Sequence, residues 1–221
     1  YREMRGAFKE ILQVGVESVG QIDPYAEAEV IALAAKSLEI LSEDYVLDLS
    51  DVSFIRCLLC GLNLSQGDQE QALTLIAQKN APGIQAMADR GILSAQDAQA
   101  IQELMGIYAP LKEGIAQAGR LARDNQSWEI LRQLSVTASM LEAFGLNGRI
   151  RLDFSLVNSM DYYNGVIFQG FLPNIPFPAL SGGRYDNLPR KMGKQVGAIG
   201  FALYMGRLEQ YFSQERQYDA D

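Results

Sequence analysis

Residues 152–207 read LDFSLVNSMDYYNGVIFQGFLPNIPFPALSGGRYDNLPRKMGKQVGAIGFALYMGR, and the pattern in this run decides the class of fold. Ile150, Leu152, Phe154 and Leu156 share one parity, with charged or small residues between them. That alternation predicts a half-buried strand over Arg149–Asn158. Asn158-Ser159-Met160-Asp161 supplies turn chemistry, and Tyr162–Leu172 returns as a second strand rich in Tyr, Val, Ile and Phe. The two together predict a hairpin. A loop punctuated by Pro173, Pro176 and Pro178 leads to Gly182-Gly183, a glycine turn where a backbone can approach a ligand closely. Polar side chains at the hairpin and at the glycine turn would form one face of a binding pocket. On pattern alone, the same residues equally suit an antiparallel sheet whose tyrosines and glycines only build turns.

Working outward, the segment ahead of this run alternates helices and strands. Asp23-Pro24 is a helix cap followed by proline at the first helical position, with Glu27 and Glu29 where the helix dipole favours acids. The helix is predicted to run to about Leu41. Tyr45–Leu49 reads as a short strand and Asp51–Leu62 as the next helix. This punctuation suits an α+β domain, helices packed on an antiparallel sheet. From Ser65 the character changes. Gln69–Lys79, Pro82–Arg90, Ser94–Tyr108, Leu111–Arg123 and Ser127–Phe144 all read as helices with no strand between them, with Ser94-x-x-Asp97 as a capping box and Gly91 and Gly145 as stops. The expected organisation is a sheet domain in two parts, 1–64 and 126–221, around an all-helical insertion, 65–125. Gln66, Gln69, Gln71, Gln96, Gln99 and Gln102 are read as its solvated face. Trp128, Leu131, Leu134, Ala138, Leu141 and Phe144 are expected to pack the last helix back on the sheet. The chain opens mid-pattern without a Met, which predicts a piece of a longer protein.

The 221 residues carry a formal net charge of −8, against a broad basic surface that would track a nucleic-acid backbone. No apolar run approaches the roughly 18–20 residues that span a bilayer, and no signal-peptide pattern opens the chain, so a cytoplasmic location is expected. There are no histidines, which excludes Ser-His-Asp or Cys-His catalysis and imidazole metal ligands within these residues. No metal or cofactor is expected. Cys57 and Cys60 form a C-x-x-C, but Phe54-Ile55-Arg56 precedes them within the helix. A redox dithiol wants its first Cys at a helix N-terminus, so both thiols are read as buried small apolar groups.

The residues of the central run carry a family resemblance. Asp161-Tyr162-Tyr163-Asn164-Gly165 with Phe168, then Gly182-Gly183-Arg184-Tyr185-Asp186-Asn187-Leu188, then Gly200-Phe201-Ala202 and Arg207-Leu208 resemble the histidine-recognition and third signature motifs of histidyl-tRNA synthetases, in that family's order. Phe8–Gly20 is similar to the later part of the second class II synthetase motif, and Gln13 and Glu17 match amino-acid-recognition positions. Four apart on a strand, they share a face and can address one ligand; without the resemblance they read as an exposed polar stripe. The resemblance covers Phe8–Gly61 and Trp128–Tyr211. It implies a class II synthetase-like antiparallel sheet flanked by helices, usually dimeric. It further implies a histidine pocket of Gln13, Glu17, Tyr162, Tyr163 and Tyr185, in which carboxylate, amide and phenols share the ligand's ammonium and imidazole protons.

The departures fall on the side of ATP. A working synthetase of this family carries an arginine where this chain has Asn158, facing carboxylate and phosphate as the adenylate forms; a neutral amide cannot supply that fixed cation. Arg207 is kept, but the third motif has Tyr204 in place of a glycine, filling space where adenine would lie, and Gly206 in place of an acid. Gln169 replaces a Glu, and Ala7 replaces a basic residue of the ATP-facing loop. Keeping the amino-acid side while losing the activation side resembles the regulatory-subunit family of ATP phosphoribosyltransferase, which has no aminoacylation activity. That resemblance implies a partner, the short-form ATP phosphoribosyltransferase catalytic subunit, and L-histidine as the effector. It also implies a homodimer inside a hetero-oligomer, with no tRNA and no membrane as partners. Two rivals are implied by the same motifs, a true histidyl-tRNA synthetase core and a synthetase-like paralogue with another partner.

Overall fold

A computed structural model describes residues 12–146, 148–157, 162–206 and 208–209. Among them a seven-stranded sheet runs in the order β1-β7-β6-β5-β2-β4-β3. The strands are β1 (Gln13–Gly20), β2 (Val46–Asp51), β3 (Tyr108–Pro110), β4 (Ile150–Asp153), β5 (Val166–Phe171), β6 (Leu180–Arg184) and β7 (Gly197–Tyr204). The helices are α1 (Pro24–Glu39), α2 (Val52–Cys60), α3 (Gln66–Ala77), α4 (Ala81–Asp89), α5 (Ala95–Met105), α6 (Leu111–Gly119), α7 (Asn125–Ala143) and α8 (Asn187–Lys191). This is the α+β, helix-flanked sheet that the sequence implied.

The register sorts the side chains. Leu49, Phe168, Gly182, Phe201 and Val16 lie opposite one another across five strands, as do Asp48, Gln169, Ser181, Ala202 and Gly15. Neighbours across a ladder share a face, so the first row marks the core face and the second marks a polar face. Leu47, Leu49, Leu152, Phe168 and Leu180 are almost completely buried beneath α1, α2 and α6. The polar face is where ligand chemistry becomes available.

Caps place the helices. Asp23 accepts from Ala26 N–H at 2.9 Å to start α1, and Asp51 accepts from the Ser53 and Phe54 N–H groups at 2.8 and 3.1 Å to start α2. Ser94 accepts from Asp97 N–H at the head of α5, and Asp124 forms a capping box with Ser127 at the head of α7. Gly91 and Gly145 adopt φ of +73° and +80° just beyond helix ends, as expected of stops.

Several expectations are corrected. The hairpin does not form: β2 lies between β4 and β5, parallel to the first and antiparallel to the second. Gly182-Gly183 is no turn but the middle of β6. The helical stretch is broken by β3, because α5 ends at Met105 and Tyr108–Pro110 pairs with β4 at the sheet edge. Helix α7 packs chiefly on α1, α6 and α2 rather than on the sheet, and its Trp128 and Phe144 stay 54% and 38% exposed. Cys60 is exposed and Cys57 only partly buried, its thiol donating to the Asp124 carboxylate at 3.6 Å.

Candidate functional site

Tyr185 follows the last residue of β6, and successive strand side chains point to opposite faces. Arg184 therefore enters the helical layer while Tyr185 turns onto the polar face, where its hydroxyl donates to the Glu17 carboxylate of β1. Glu17 lies opposite Gly200 of β7, and a Cβ on Gly200 would run into that carboxylate. Glycine is what lets the acid lie back across the neighbouring strand. Tyr163 stands over Gly183 in the same way: a Cβ there would come within 2.7 Å of its ring. The rings of Tyr162 and Tyr185 stack at 5.1 Å and 19°, and Tyr163 meets Tyr162 edge-on at 4.7 Å. One carboxylate and three phenols thus form a single cluster, built by residues up to 168 positions apart.

Its electrostatics favour a cationic or hydrogen-bond-donating guest. Burial, then the hydrogen bond to Glu17 and its charge, hold the Tyr185 phenol well above its ordinary range. Burial and then the neighbouring Tyr162, Tyr204 and Glu17 push Tyr163 up to about 12, and burial followed by the Glu17 charge raises Tyr162. All three phenols keep their protons at neutral pH, offering O–H groups and negative ring faces around the acid. That combination suits an ammonium or a protonated ring nitrogen.

A buried polar network braces the cluster from behind. Arg184 Nε donates to both Asp186 carboxylate oxygens at 3.1 and 3.0 Å, and its NH1 lies 3.6 Å from Glu27 on α1. Asp186 N–H donates to Asn164 Oδ1 at 2.8 Å, while its own carboxylate accepts from Ala198 N–H at 3.1 Å. Asn164 N–H donates to the Arg184 carbonyl at 3.0 Å, clamping the residue after Tyr163 to the residue before Tyr185.

Of the residues singled out by sequence, Glu17, Tyr162, Tyr163 and Tyr185 come together. Gln13 shares their face but is exposed opposite Tyr204, and four steps along the strand set it about 13 Å from Glu17. Tyr204 bonds through its hydroxyl to Ser181 on the same face. Asn158 and Arg207 lie outside the described residues, as do Ala7 and Asp161. Sequence reasoning assigned no role to Ser181, Asn164, Asp186 or Glu27. Asn164 and Asp186 stand inside the quoted motifs, which was the available signal; Glu27 gave none beyond its place in the first turn of a helix. A cavity of about 900 Å³ between α6 and α7 shares no residue with the cluster.

Against this geometry the comparisons with known proteins are direct. A family model for histidyl-tRNA synthetase matches residues 2–208. The chain belongs to the histidyl-tRNA synthetase family. Within it, the chain is 34% identical over 223 residues to the ATP phosphoribosyltransferase regulatory subunit of Symbiobacterium thermophilum, covering 98% of this chain and 54% of that protein. It is 32% identical over 205 residues to the regulatory subunit of Acetivibrio thermocellus, covering 92% and 49%. The crystal structure of an ATP phosphoribosyltransferase regulatory subunit/histidyl-tRNA synthetase from Bacillus halodurans C superposes with a TM-score of 0.84 at 27% identity, over 93% of this chain and 54% of that one. The chain spans about half the length of the curated relatives it matches. Among the described residues, no helix of this family member is long and apolar enough to cross a membrane.

Proposed function

We propose that this chain belongs to a non-catalytic regulatory subunit of ATP phosphoribosyltransferase, one that binds L-histidine and is required by a short-form catalytic subunit. The observation that carries the reading is asymmetric. Glu17, Tyr163 and Tyr185 stand together as a carboxylate and two phenols, a set that suits an amino acid carrying protonatable nitrogens. On the activation side the chain has Asn158 for an arginine, and Tyr204 occupies the polar face. Joining ATP to a carboxylate concentrates negative charge, which needs a fixed cation at the reacting centre. A site that keeps the amino-acid contacts and lacks that cation binds without activating.

In this reading histidine, the pathway's end product, binds between Glu17 and the phenols and favours an inhibited arrangement of the assembly. The coupling requires that histidine bind two arrangements with different affinity. A homodimer inside a hetero-oligomer, in the cytoplasm, is the proposed setting. The second reading, a catalytic histidyl-tRNA synthetase core, draws on the family model that matches residues 2–208. Two measurements on the purified protein separate them: calorimetric titration with L-histidine, and histidine-dependent exchange of pyrophosphate into ATP. Binding without exchange is the expected result. Exchange at synthetase rates would overturn the regulatory reading, and absence of histidine binding would overturn the pocket.

A further inference from the structure

Glu27 belongs to no ligand contact, yet it sits at the centre of a polar network in the core. It is only 8% exposed, in the first turn of α1. The groups that face it come from three other elements: Arg184 of β6 at 3.6 Å, the Thr137 hydroxyl of α7 at 3.0 Å, and the Asp51 carboxylate that caps α2. Arg184 is the one cation in this set, and it is shared with Asp186. Its side chain also packs along Gly165, so that a Cβ added there would come within 3.0 Å of Arg184 Cδ. Its carbonyl accepts from Asn164 N–H, so Arg184, the residue before Tyr185, is fixed to the residue that follows Tyr163.

We propose that Glu27 is a positioning residue that tunes the tyrosine pocket through Arg184, so that the charge on Glu27 sets how firmly Tyr163 and Tyr185 are held. This deepens the preceding section, because the regulated site is the proposed histidine pocket. With Glu27 ionised, the guanidinium is gripped from two sides, by Glu27 and by Asp186, and the end of β6 is pinned between α1 and β7. With Glu27 neutral, only Asp186 holds it, and the clamp between Asn164 and Arg184 loses its second anchor. The change falls in the neutral range: burial first, and then the charge of Asp51, push the Glu27 carboxyl up to about 7, opposed by Arg184 and Thr137. Protonation at Glu27 is therefore read on the far side of the sheet, since Arg184 and Tyr185 are consecutive residues pointing to opposite faces. Thr137 brings α7 into the same circuit, giving the helical layer a hold on the pocket.

The test uses the purified protein, its Glu27→Gln variant and its Thr137→Val variant. The stacked tyrosines give a ligand-free reporter, the near-ultraviolet circular dichroism of the aromatic cluster, followed from pH 6 to 8. The wild type is expected to change with a midpoint near 7, Glu27→Gln to stay flat, and Thr137→Val to move the midpoint upward by removing a hydrogen bond to the ionised acid. A second readout is L-histidine affinity over the same range. The imidazole of the ligand titrates alike with every variant, so the ratio of wild type to Glu27→Gln isolates the protein's part; it should rise about fivefold from pH 6 to 8, the low end of site-to-site couplings. A signal that is flat in the wild type, or unchanged in midpoint in both variants, overturns the proposal. A midpoint that obeys the variants in a protein that does not bind histidine upholds the coupling and overturns the pocket assignment instead.

Discussion

Tyr185 and Glu17 meet through a hydrogen bond between a raised phenol and a carboxylate, and the proposed pocket turns on that contact. Tyr185→Phe removes the donor and leaves the ring. A hydrogen bond to a charged group contributes about 1.5–3 kcal/mol, part of which water restores at a half-open site. L-histidine affinity should therefore fall by roughly tenfold in calorimetric titration, with the melting temperature lowered by only about a few degrees; an unaltered affinity would remove Tyr185 from the pocket. The grouping of Glu17, Tyr163 and Tyr185 was legible because their motifs resemble those of one family, and the fold brings the three side chains together. Gln13 shares the face of Glu17 but stands four steps along the strand from it, exposed opposite Tyr204. Glu27 was under-read. An acid in a first helical turn is explained by the dipole alone, and its partner Thr137 lies 110 residues away.

Elements with local signals were read well and those that depend on distant pairing were not. Asp23, Asp51 and Ser94 announce helix starts through their own side chains, and each does cap a helix. The place of β2 between β4 and β5 has no such local mark, and adjacent strands in sequence usually pair. Strand β3 spans three residues, too short for a period of two to show. The contact of α6 with β4 offers a test at this scale. Gly114 faces Leu152, and a Cβ at that position would lie 2.7 Å from Leu152 Cβ. Gly114→Ala gains about 1 kcal/mol of helix propensity but overpacks a fully buried contact, at a cost of about 1–3 kcal/mol. Both close atoms are held by backbone, so the clash should win. The urea midpoint is expected to fall by an amount equivalent to about 1 kcal/mol, whereas a rise would mean that α6 is free to shift away from β4.

At the scale of the molecule, buried acids make stability depend on pH in an unusual direction. Burial raises Glu27 to about 7 and Asp48 to about 6, from ordinary values of 4.5 and 3.8. The native state holds these protons where the unfolded chain has lost them. Their contribution is thus fully present below the ordinary values and is lost as pH rises through about 6 and then about 7. The melting temperature should fall between pH 5 and 8, and Glu27→Gln should flatten the upper part of that fall; identical profiles would show that Glu27 does not titrate there. The class of fold was legible at this scale from the alternation of strands and capped helices. The common core uniting the sheet with α3, α4 and α5 was not, because it arises from contacts that no window of sequence contains.

The central claim is that a synthetase-like pocket has been retained for regulation without the chemistry of activation. Its most direct test is to mix the protein with a short-form ATP phosphoribosyltransferase catalytic subunit from the same source and follow phosphoribosyl-ATP formation with and without L-histidine. The account predicts activity that requires both proteins, is suppressed by histidine, and loses that suppression in Tyr185→Phe. Activity indifferent to the second protein, or suppression untouched by Tyr185→Phe, would contradict it.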